Sequence, residues 1–203
     1  VRALRAYCRI TSAPAPQVFH TNEGHAGFLG LERIRELVSD NAQMTFDEAL
    51  EVTRAGTVFT THTPVPAGID RFAVDLIAQH FGGDNAAAGV PVDKVLRLGA
   101  ETFEGGDATV FNMAVMGLRI AQRANGVSVL HGQVSRSMFG GLWPGFDGDD
   151  VPITSVTNGV HAPTWVARSV LELAHGAPVD VAEGWEEIAS APDEHLWGIK
   201  RAL

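Results

Sequence analysis

The sequence contains little cysteine and no long apolar run. Cys8 is the only cysteine among 203 residues, so the chain can form neither an internal disulfide nor a CxxC metal motif. This usage is typical of a reducing cytoplasm. The apolar runs are far shorter than the roughly 20 residues that span a bilayer, and no basic start followed by an apolar block marks a leader. We therefore expect a soluble, cytoplasmic protein.

Basic residues are also scarce. The chain carries 15 Lys and Arg against 24 Asp and Glu, for a formal net charge of -9. Nucleic acids and anionic membranes bind basic surfaces, so the sequence predicts neither as a partner. The hydrophobic content of 45% is enough for the core of a globular protein of this length.

Several motifs with defined chemistry are missing. The sequence has no GxSxG nucleophile elbow and no GxGxxG or GxxxxGK[ST] phosphate loop. Its eight histidines do not occur with the HxH, HxxxH or HExxH spacing of metal ligands. The sequence therefore gives no support to acyl transfer, to nucleotide binding or to a metal site.

Three segments combine a strand-like run with polar residues at its end. They are 18–25 (VFHTNEGH), 59–66 (FTTHTPVP) and 155–165 (SVTNGVHAPTW). In each, β-branched or apolar residues stop at His or Asn, and Gly or Pro follows. Taken singly, each is better explained by an ordinary turn with a backbone-bonded histidine. Because ligands bind outside the carboxyl ends of parallel strands, the three together predict one shared polar pocket.

The hydrophobic periodicity predicts alternating strands and helices, and hence an α/β fold with a largely parallel sheet. The first half reads as a buried strand over 17–21, helices over 29–38, 45–54 and 70–81, a strand over 57–61 and a loop over 84–91. Thr45 and Glu48 have the spacing of a capping box.

In the second half, the pattern predicts a long apolar helix over 112–123 and a break at Asn125 and Gly126. A strand over 127–130, a loop over 140–150, a strand over 153–157, a helix from Pro163 and short helices from Asp180 onward follow. The four tryptophans are predicted to be core residues rather than sugar-stacking ones: Trp143, Trp165, Trp185 and Trp197.

The predicted pocket consists mainly of neutral hydrogen-bonding groups. Its candidate residues are Asn22, Glu23, His25, His62, Thr63 and Asn158. Imidazole and amide groups both donate and accept hydrogen bonds, as sugar hydroxyls do, without the desolvation cost of a buried charge. We therefore expect a polyol ligand.

At these residues the sequence resembles the α-glucan phosphorylases of the glycogen, starch and maltodextrin type, in their bacterial and archaeal branch. Four blocks carry the resemblance, in the family's order: 20–37, 59–66, 111–131 and 157–165. It implies an internal fragment of a two-domain GT-B glycosyltransferase with Rossmann-like domains. Residues 1–157 would be the later part of the N-terminal domain, and 158–203 the start of the C-terminal cofactor domain.

The resemblance further implies reversible phosphorolysis of the non-reducing end of an α-1,4-glucan, which gives glucose 1-phosphate. The phosphate of pyridoxal 5'-phosphate supplies the acid-base group in this family. By resemblance, His62 is the catalytic residue that contacts the transferred sugar near its 6-hydroxyl. Asn158 holds the same hydroxyl, and Glu23, His25 and Thr63 line the neighbouring part of the cleft.

Two residue differences and the absence of a cofactor lysine set this sequence apart from the family pattern. Animal and plant members carry Asp-Thr-His-Pro where this chain has 23–26 (EGHA), and Asn at the position of Thr61. The sequence contains two lysines, Lys94 and Lys200. Neither lies in the segment that forms the Schiff base with pyridoxal phosphate in this family. We therefore expect the pyridoxal lysine and the phosphate-binding residues outside this chain, and no activity from the chain alone.

Other interpretations remain open at this point. A nucleotide-sugar glucan synthase of the same architecture and a non-catalytic glucan-binding module would both bind glucan. The expected partners are α-1,4-glucan, phosphate and glucose 1-phosphate, and the sequence is compatible with a homo-oligomer. For Asn112, Asn125 and His131, we favour a helix N-cap, a turn residue and a backbone-bonded histidine over roles in the site.

Overall fold

The strands and helices alternate along most of the chain. A computed structural model describes residues 1–179 and 181–203 and divides into two compact units, Val1–Thr157 and Asn158–Leu203. Asp180, the predicted start of the helical tail, lies outside the described residues. The strands are β1 (Phe19–Asn22), β2 (Thr57–Thr60), β3 (Arg71–Ala73), β4 (Val110–Asn112), β5 (Arg123–Gly126) and β6 (Ile153–Ser155).

The first unit also contains seven of the described helices. They are α1 (Arg2–Thr11), α2 (Phe28–Asp40), α3 (Phe46–Ala55), α4 (Val74–Phe81), α5 (Val92–Gly99), α6 (Met113–Ile120) and α7 (Val129–Phe139). The predicted capping box is confirmed at the start of α3, where the Thr45 hydroxyl accepts a hydrogen bond from the Glu48 amide and the Glu48 carboxylate accepts one from the Thr45 amide. These bonds satisfy two of the amides that a helix start leaves free.

A four-stranded parallel sheet forms the centre of the first unit, in the order β1-β2-β5-β6. This confirms the predicted α/β class with a parallel sheet. One register row crosses all four strands on the buried face, through Thr21, Phe59, Ala124 and Ile153. The next row points to the opposite face and is entirely polar: Asn22, Thr60, Asn125 and Thr154. The sheet therefore has a buried, mainly apolar face and a polar row at its carboxyl end.

The buried face of the sheet packs against α6. Phe59 is fully buried there, and a Cβ added at Gly117 of α6 would lie 2.5 Å from its ring. The aromatic ring thus needs glycine opposite it, because no side chain fits at that separation. A second core cluster lies among the helices α2 to α6 and the strand β4, and includes Ile34, Val95 and Phe111.

A small antiparallel sheet of β3 and β4 pairs Phe72 with Phe111. It corrects the predicted helix over 70–81, whose first residues form β3 and whose remainder forms α4. The buried carboxylate of Glu101 lies beside this sheet. It accepts hydrogen bonds from Arg71 Nε at 2.8 Å, from Asn112 Nδ2 at 2.6 Å and from the Asp107 amide at 2.9 Å. One acidic side chain therefore joins β3, the start of α6 and the connecting loop.

The structure corrects the sequence prediction over 112–131. The apolar helix α6 ends at Ile120, and Arg123–Gly126 forms the strand β5. The predicted strand over 127–130 is instead the beginning of α7, whose N-cap Ser128 accepts a hydrogen bond from the His131 amide. The buried strand predicted at 17–21 starts at Phe19 and buries only Thr21.

The second unit is helical, with α8 (Ala162–Trp165), α9 (Arg168–Leu171), α10 (Ala182–Ala189) and α11 (Asp193–Ala202). Its buried core comprises Leu173, Ala174 and Ile188. The expectation of core tryptophans is wrong for Trp165, Trp185 and Trp197, which are 79%, 39% and 58% exposed. Trp143 of the first unit is half-buried against the sheet core. Among the described residues, no helix combines the length and apolar character of a membrane span.

Candidate functional site

The candidate site lies where β1 and β2 end. The two strands are parallel neighbours, and Asn22 pairs with Thr60 at their last positions. The segments that leave the sheet there, Glu23–Ala26 and Thr61–Thr63, therefore start side by side. This brings together two of the three strand ends that the sequence singled out.

The Glu23 carboxylate is the centre of this cluster. Its Oε2 accepts a hydrogen bond from the His62 amide at 2.7 Å and one from the Thr63 hydroxyl at 3.0 Å. Its Oε1 accepts from the Thr61 hydroxyl at 3.4 Å and from the Gly24 amide at 3.2 Å. The carboxylate therefore holds three successive residues of the β2 end segment from the neighbouring strand end.

The backbone of Glu23 is strained. Its φ of 73° and ψ of 166° fall in a region that is populated almost only by glycine. The Glu23 amide donates to the Thr60 carbonyl at 2.8 Å, which ties the residue to β2. The next residue must be small, because a Cβ on Gly24 would lie 3.1 Å from the backbone at the start of α6. The turn at Glu23 and Gly24 is thus closely packed between the end of β2 and the start of α6.

We expect Glu23→Gly to be more stable than Glu23→Ala. Both variants lose the carboxylate, but only glycine adopts this φ and ψ without strain. After the larger unfolded-state entropy of glycine is subtracted, the difference in the free energy of unfolding should be about 1 to 2 kcal/mol. Urea unfolding of the two variants of the complete protein, monitored by tryptophan fluorescence, measures it. Equal stability of the two would contradict a strained Glu23.

The His62 ring is held by Asn22, since His62 Nε2 forms a hydrogen bond with Asn22 Oδ1. An amide oxygen can only accept, so Nε2 is the donor in this bond, and Nδ1 is the acceptor of the imidazole tautomer that the bond selects. The side chain of His62 is exposed. The ring therefore presents a fixed acceptor at the surface of the site.

A second hydrogen-bond chain follows the polar face of the sheet. His20 Nε2 and Thr60 Oγ1 lie 2.7 Å apart, and Thr60 Oγ1 donates to Asn125 Oδ1 at 2.9 Å. Sequence reasoning did not include His20, Thr60 or Asn125 in the pocket. The signal that could have found them is the alternation of side chains along each strand, which puts them on the same face as Asn22.

Two predicted site residues are not joined to this cluster by hydrogen bonds. His25 lies in the turn Gly24–Ala26 with its side chain exposed, and makes no side-chain hydrogen bond among the described residues. Asn158 is exposed and is the first residue of the second unit. The prediction that these residues share one pocket with His62 stays a prediction.

The structural roles predicted for Asn112 and His131 are confirmed. Asn112 Oδ1 caps α6 by accepting hydrogen bonds from the Ala114 and Val115 amides, and His131 Nδ1 accepts one from the Val127 amide. Asn125 is not a turn residue, because it lies in β5 and bonds Thr60.

The described residues contain no group of three or more His, Cys, Asp or Glu side chains that could hold a metal ion. They also do not fit pyridoxal phosphate. The Lys94 ammonium is paired with the Asp47 carboxylate at 2.6 Å, and the Lys200 ammonium lies 4.9 Å from the centre of the Trp197 ring on α11. Neither lysine belongs to the strand-end cluster, so this cluster offers a ligand only hydrogen bonds.

These features define an α/β unit with a parallel sheet that displays hydrogen-bonding side chains at its strand ends. No family model matches the chain. Curated proteins do match it. The chain is 54% identical over 213 aligned residues to a glycogen phosphorylase of Mycobacterium tuberculosis. This alignment covers 100% of the chain and 24% of that protein. The chain belongs to the glycogen and maltodextrin phosphorylase family.

Two further relatives agree with this membership. A maltodextrin phosphorylase of Thermococcus litoralis is 38% identical over 189 residues, which cover 90% of this chain and 22% of that protein. A glycogen phosphorylase of Aquifex aeolicus is 36% identical over 186 residues, which cover 88% and 26% respectively. The chain thus spans about a quarter of the length of the curated relatives it matches.

Proposed function

We propose that the complete protein is an α-1,4-glucan phosphorylase, a glycosyltransferase that reversibly transfers non-reducing-end glucose to phosphate and gives glucose 1-phosphate. The observation that carries the proposal is 54% identity over 100% of the chain to a protein named glycogen phosphorylase. The polar strand-end cluster supports it, since neutral donors and acceptors suit sugar hydroxyls.

In this proposal His62 is the catalytic residue that touches the transferred sugar. Its Nδ1 accepts a hydrogen bond from the 6-hydroxyl, while Asn22 keeps the proton on Nε2. By the family resemblance, Asn158, Thr63 and His25 are further substrate-binding residues, and Glu23 belongs to the cluster that surrounds His62. The exposure of the His62 ring supports access of a ligand to it.

The proposed architecture is GT-B. Residues 1–157 form the later part of a Rossmann-like N-terminal domain, and residues 158–203 begin the C-terminal domain. The parallel sheet of the first unit and the division of the chain after Thr157 support this arrangement. In such a fold the ligand binds in the cleft outside the carboxyl ends of the strands.

The proposed cofactor of the complete protein is pyridoxal 5'-phosphate, which supplies a phosphate for proton transfer when bound. We infer that its lysine and the residues that bind the attacking phosphate lie outside 1–203, since Lys94 and Lys200 do not fit that role. The 203-residue chain alone is then inactive. The proposed partners are α-1,4-glucan, phosphate and glucose 1-phosphate, and the cytoplasmic location and homo-oligomeric assembly remain predictions.

The two alternatives receive less support. The relatives named above are glycogen and maltodextrin phosphorylases, which does not favour a nucleotide-sugar glucan synthase. A glucan-binding module without catalysis would keep the pocket but would not turn over its ligand.

The test uses the complete protein that contains this chain. We expect pyridoxal absorbance in the purified protein and release of glucose 1-phosphate from maltoheptaose that depends on phosphate. Transfer from a nucleotide-activated glucose would support a synthase instead. Binding of maltoheptaose without any turnover would leave the binding module.

A further inference from the structure

We propose that Glu23 is a positioning residue that fixes His62, and not the sugar-binding residue that the family resemblance implies. The inference rests on the proposed function, because it concerns the same site. An ionised carboxylate has about four lone-pair positions for hydrogen bonds. In Glu23 four protein donors use them: two backbone amides, from His62 and Gly24, and two hydroxyls, from Thr61 and Thr63.

A sugar hydroxyl can therefore bond this carboxylate only by displacing a protein donor. The shortest of the four bonds, at 2.7 Å, comes from the His62 amide. Bonds from backbone amides to a carboxylate are charge-assisted and stronger than neutral ones. Displacing them would release the segment that carries His62, so direct binding of sugar by Glu23 would weaken the site it serves.

The local backbone supports the same role. A non-glycine residue persists at φ 73° and ψ 166° only where surrounding contacts over-determine it. Here the Glu23 amide donates a hydrogen bond to the Thr60 carbonyl, and the Glu23 carbonyl accepts one from the Ala26 amide at 3.1 Å. The strained conformation turns the side chain toward the end of β2, and its carboxylate then reaches three successive residues of that segment.

The main chain and the ring of His62 are then both held by residues at the end of β1, Glu23 and Asn22 respectively. The Thr61 amide donates to the Asn125 carbonyl at 3.0 Å, and the His62 amide donates to Glu23, so two successive peptide groups are held. Asn22 holds the ring. With main chain and ring both anchored, His62 has one orientation toward the sugar before the sugar binds. Where the contact of His62 with the sugar is stronger in the transition state than in the bound substrate, such preorganisation raises kcat more than it tightens ground-state binding.

The test is Glu23→Gln in the complete protein. Glutamine has nearly the same shape, but one oxygen becomes an amide group that faces two donors and cannot accept from them. We expect kcat to fall about 10²-fold, as for a small misplacement of a reacting group, while the KM for maltoheptaose changes less than about threefold. A rise in KM with unchanged kcat would overturn the proposal, because it marks lost ground-state binding of the sugar.

Hydrogen exchange gives a readout that does not need activity. Glutamine keeps one oxygen that can still accept from the His62 amide, so exchange is measured in Glu23→Gly, which removes that acceptor altogether. A peptic peptide that contains His62 should then exchange deuterium at least about tenfold faster, as expected when a local opening becomes easier. Unchanged exchange would overturn the proposal. If the complete protein proved not to be a phosphorylase, this result would still separate the positioning role from the failed function.

Two further variants serve as a control and as a second test of the positioning role. Glu51→Gln alters an exposed glutamate of α3 that pairs with Arg54, and should leave kcat and exchange at His62 unchanged. Glu23→Gly removes the carboxylate and relieves the backbone strain, so it tests the role even if the glutamine variant folds poorly. It should show the same loss of kcat together with the faster exchange, and wild-type values in this variant would contradict the positioning role.

Discussion

Replacing His62 by alanine is expected to lower the kcat of the complete protein about 10² to 10³-fold, the usual effect of losing one preorganised polar group at a reacting centre. The loss should be this large because Asn22 and Glu23 hold the ring and the main chain of His62 in one position. Initial rates of glucose 1-phosphate release from maltoheptaose, at saturating phosphate, measure the effect.

His80→Ala is the matched control, because His80 is an exposed histidine in the last turn of α4. Its kcat should equal that of the wild type within experimental error. If His62→Ala retained wild-type kcat as well, His62 would be an ordinary histidine at a strand end. Both variants should have wild-type melting temperatures, since neither ring is buried.

Replacing Glu101 by alanine is expected to destabilise the protein by about 3 kcal/mol, the lower part of the range for breaking a buried ion pair. The Glu101 side chain is 3% exposed, whereas that of its partner Arg71 is 38% exposed. Removing the carboxylate leaves Asn112 Nδ2 buried without its acceptor and frees the loop at Asp107. The midpoint of urea unfolding of the complete protein should fall accordingly.

Glu51→Ala provides the comparison, because its ion pair with Arg54 is exposed to solvent. Such a change usually alters stability by less than about 0.5 kcal/mol. A Glu101→Ala variant that was no less stable than Glu51→Ala would show that the buried network contributes nothing.

The Glu101 network should also depend on pH in a defined direction. Burial raises the pKa of Glu101, but the hydrogen bonds from Asn112, the Asp107 amide and Arg71 outweigh it and hold the pKa below its ordinary 4.5. A carboxylate with a lowered pKa in the folded state stabilises the protein above its unfolded pKa. The stability difference between wild type and Glu101→Ala should therefore be full above pH 4.5 and shrink as the pH falls below it.

Much of the fold could be predicted from local signals. The capping box of Thr45 and Glu48 located the start of α3, and β-branched residues before a His located the end of β2. The positions of the strand β5 and the start of α7 between residues 112 and 131 could not be predicted from such local signals. The run from Val127 to Leu130 has the composition of a strand, and Arg123–Gly126 becomes a strand because β2 and β6 pair with it on both sides.

The candidate site was predictable as a set of residues but not as a set of contacts. The pattern of polar residues at strand ends identified His62, Thr63 and Glu23. It could not reveal that Glu23 bonds backbone amides, because main-chain hydrogen bonds leave no mark on residue type. The positive φ of Glu23 was equally hidden, since such a position normally signals itself by glycine.

The contact between Phe59 and Gly117 has a consequence for how related sequences can diverge. A methyl group at 117 would lie 2.5 Å from the ring, so a larger residue at 117 requires a smaller one at 59. The two positions should therefore covary across the family, although they are far apart in the chain. Phe59 lies just before the segment that carries His62, so this coupled pair would transmit changes in the helix packing to the height of the His62 ring above the sheet.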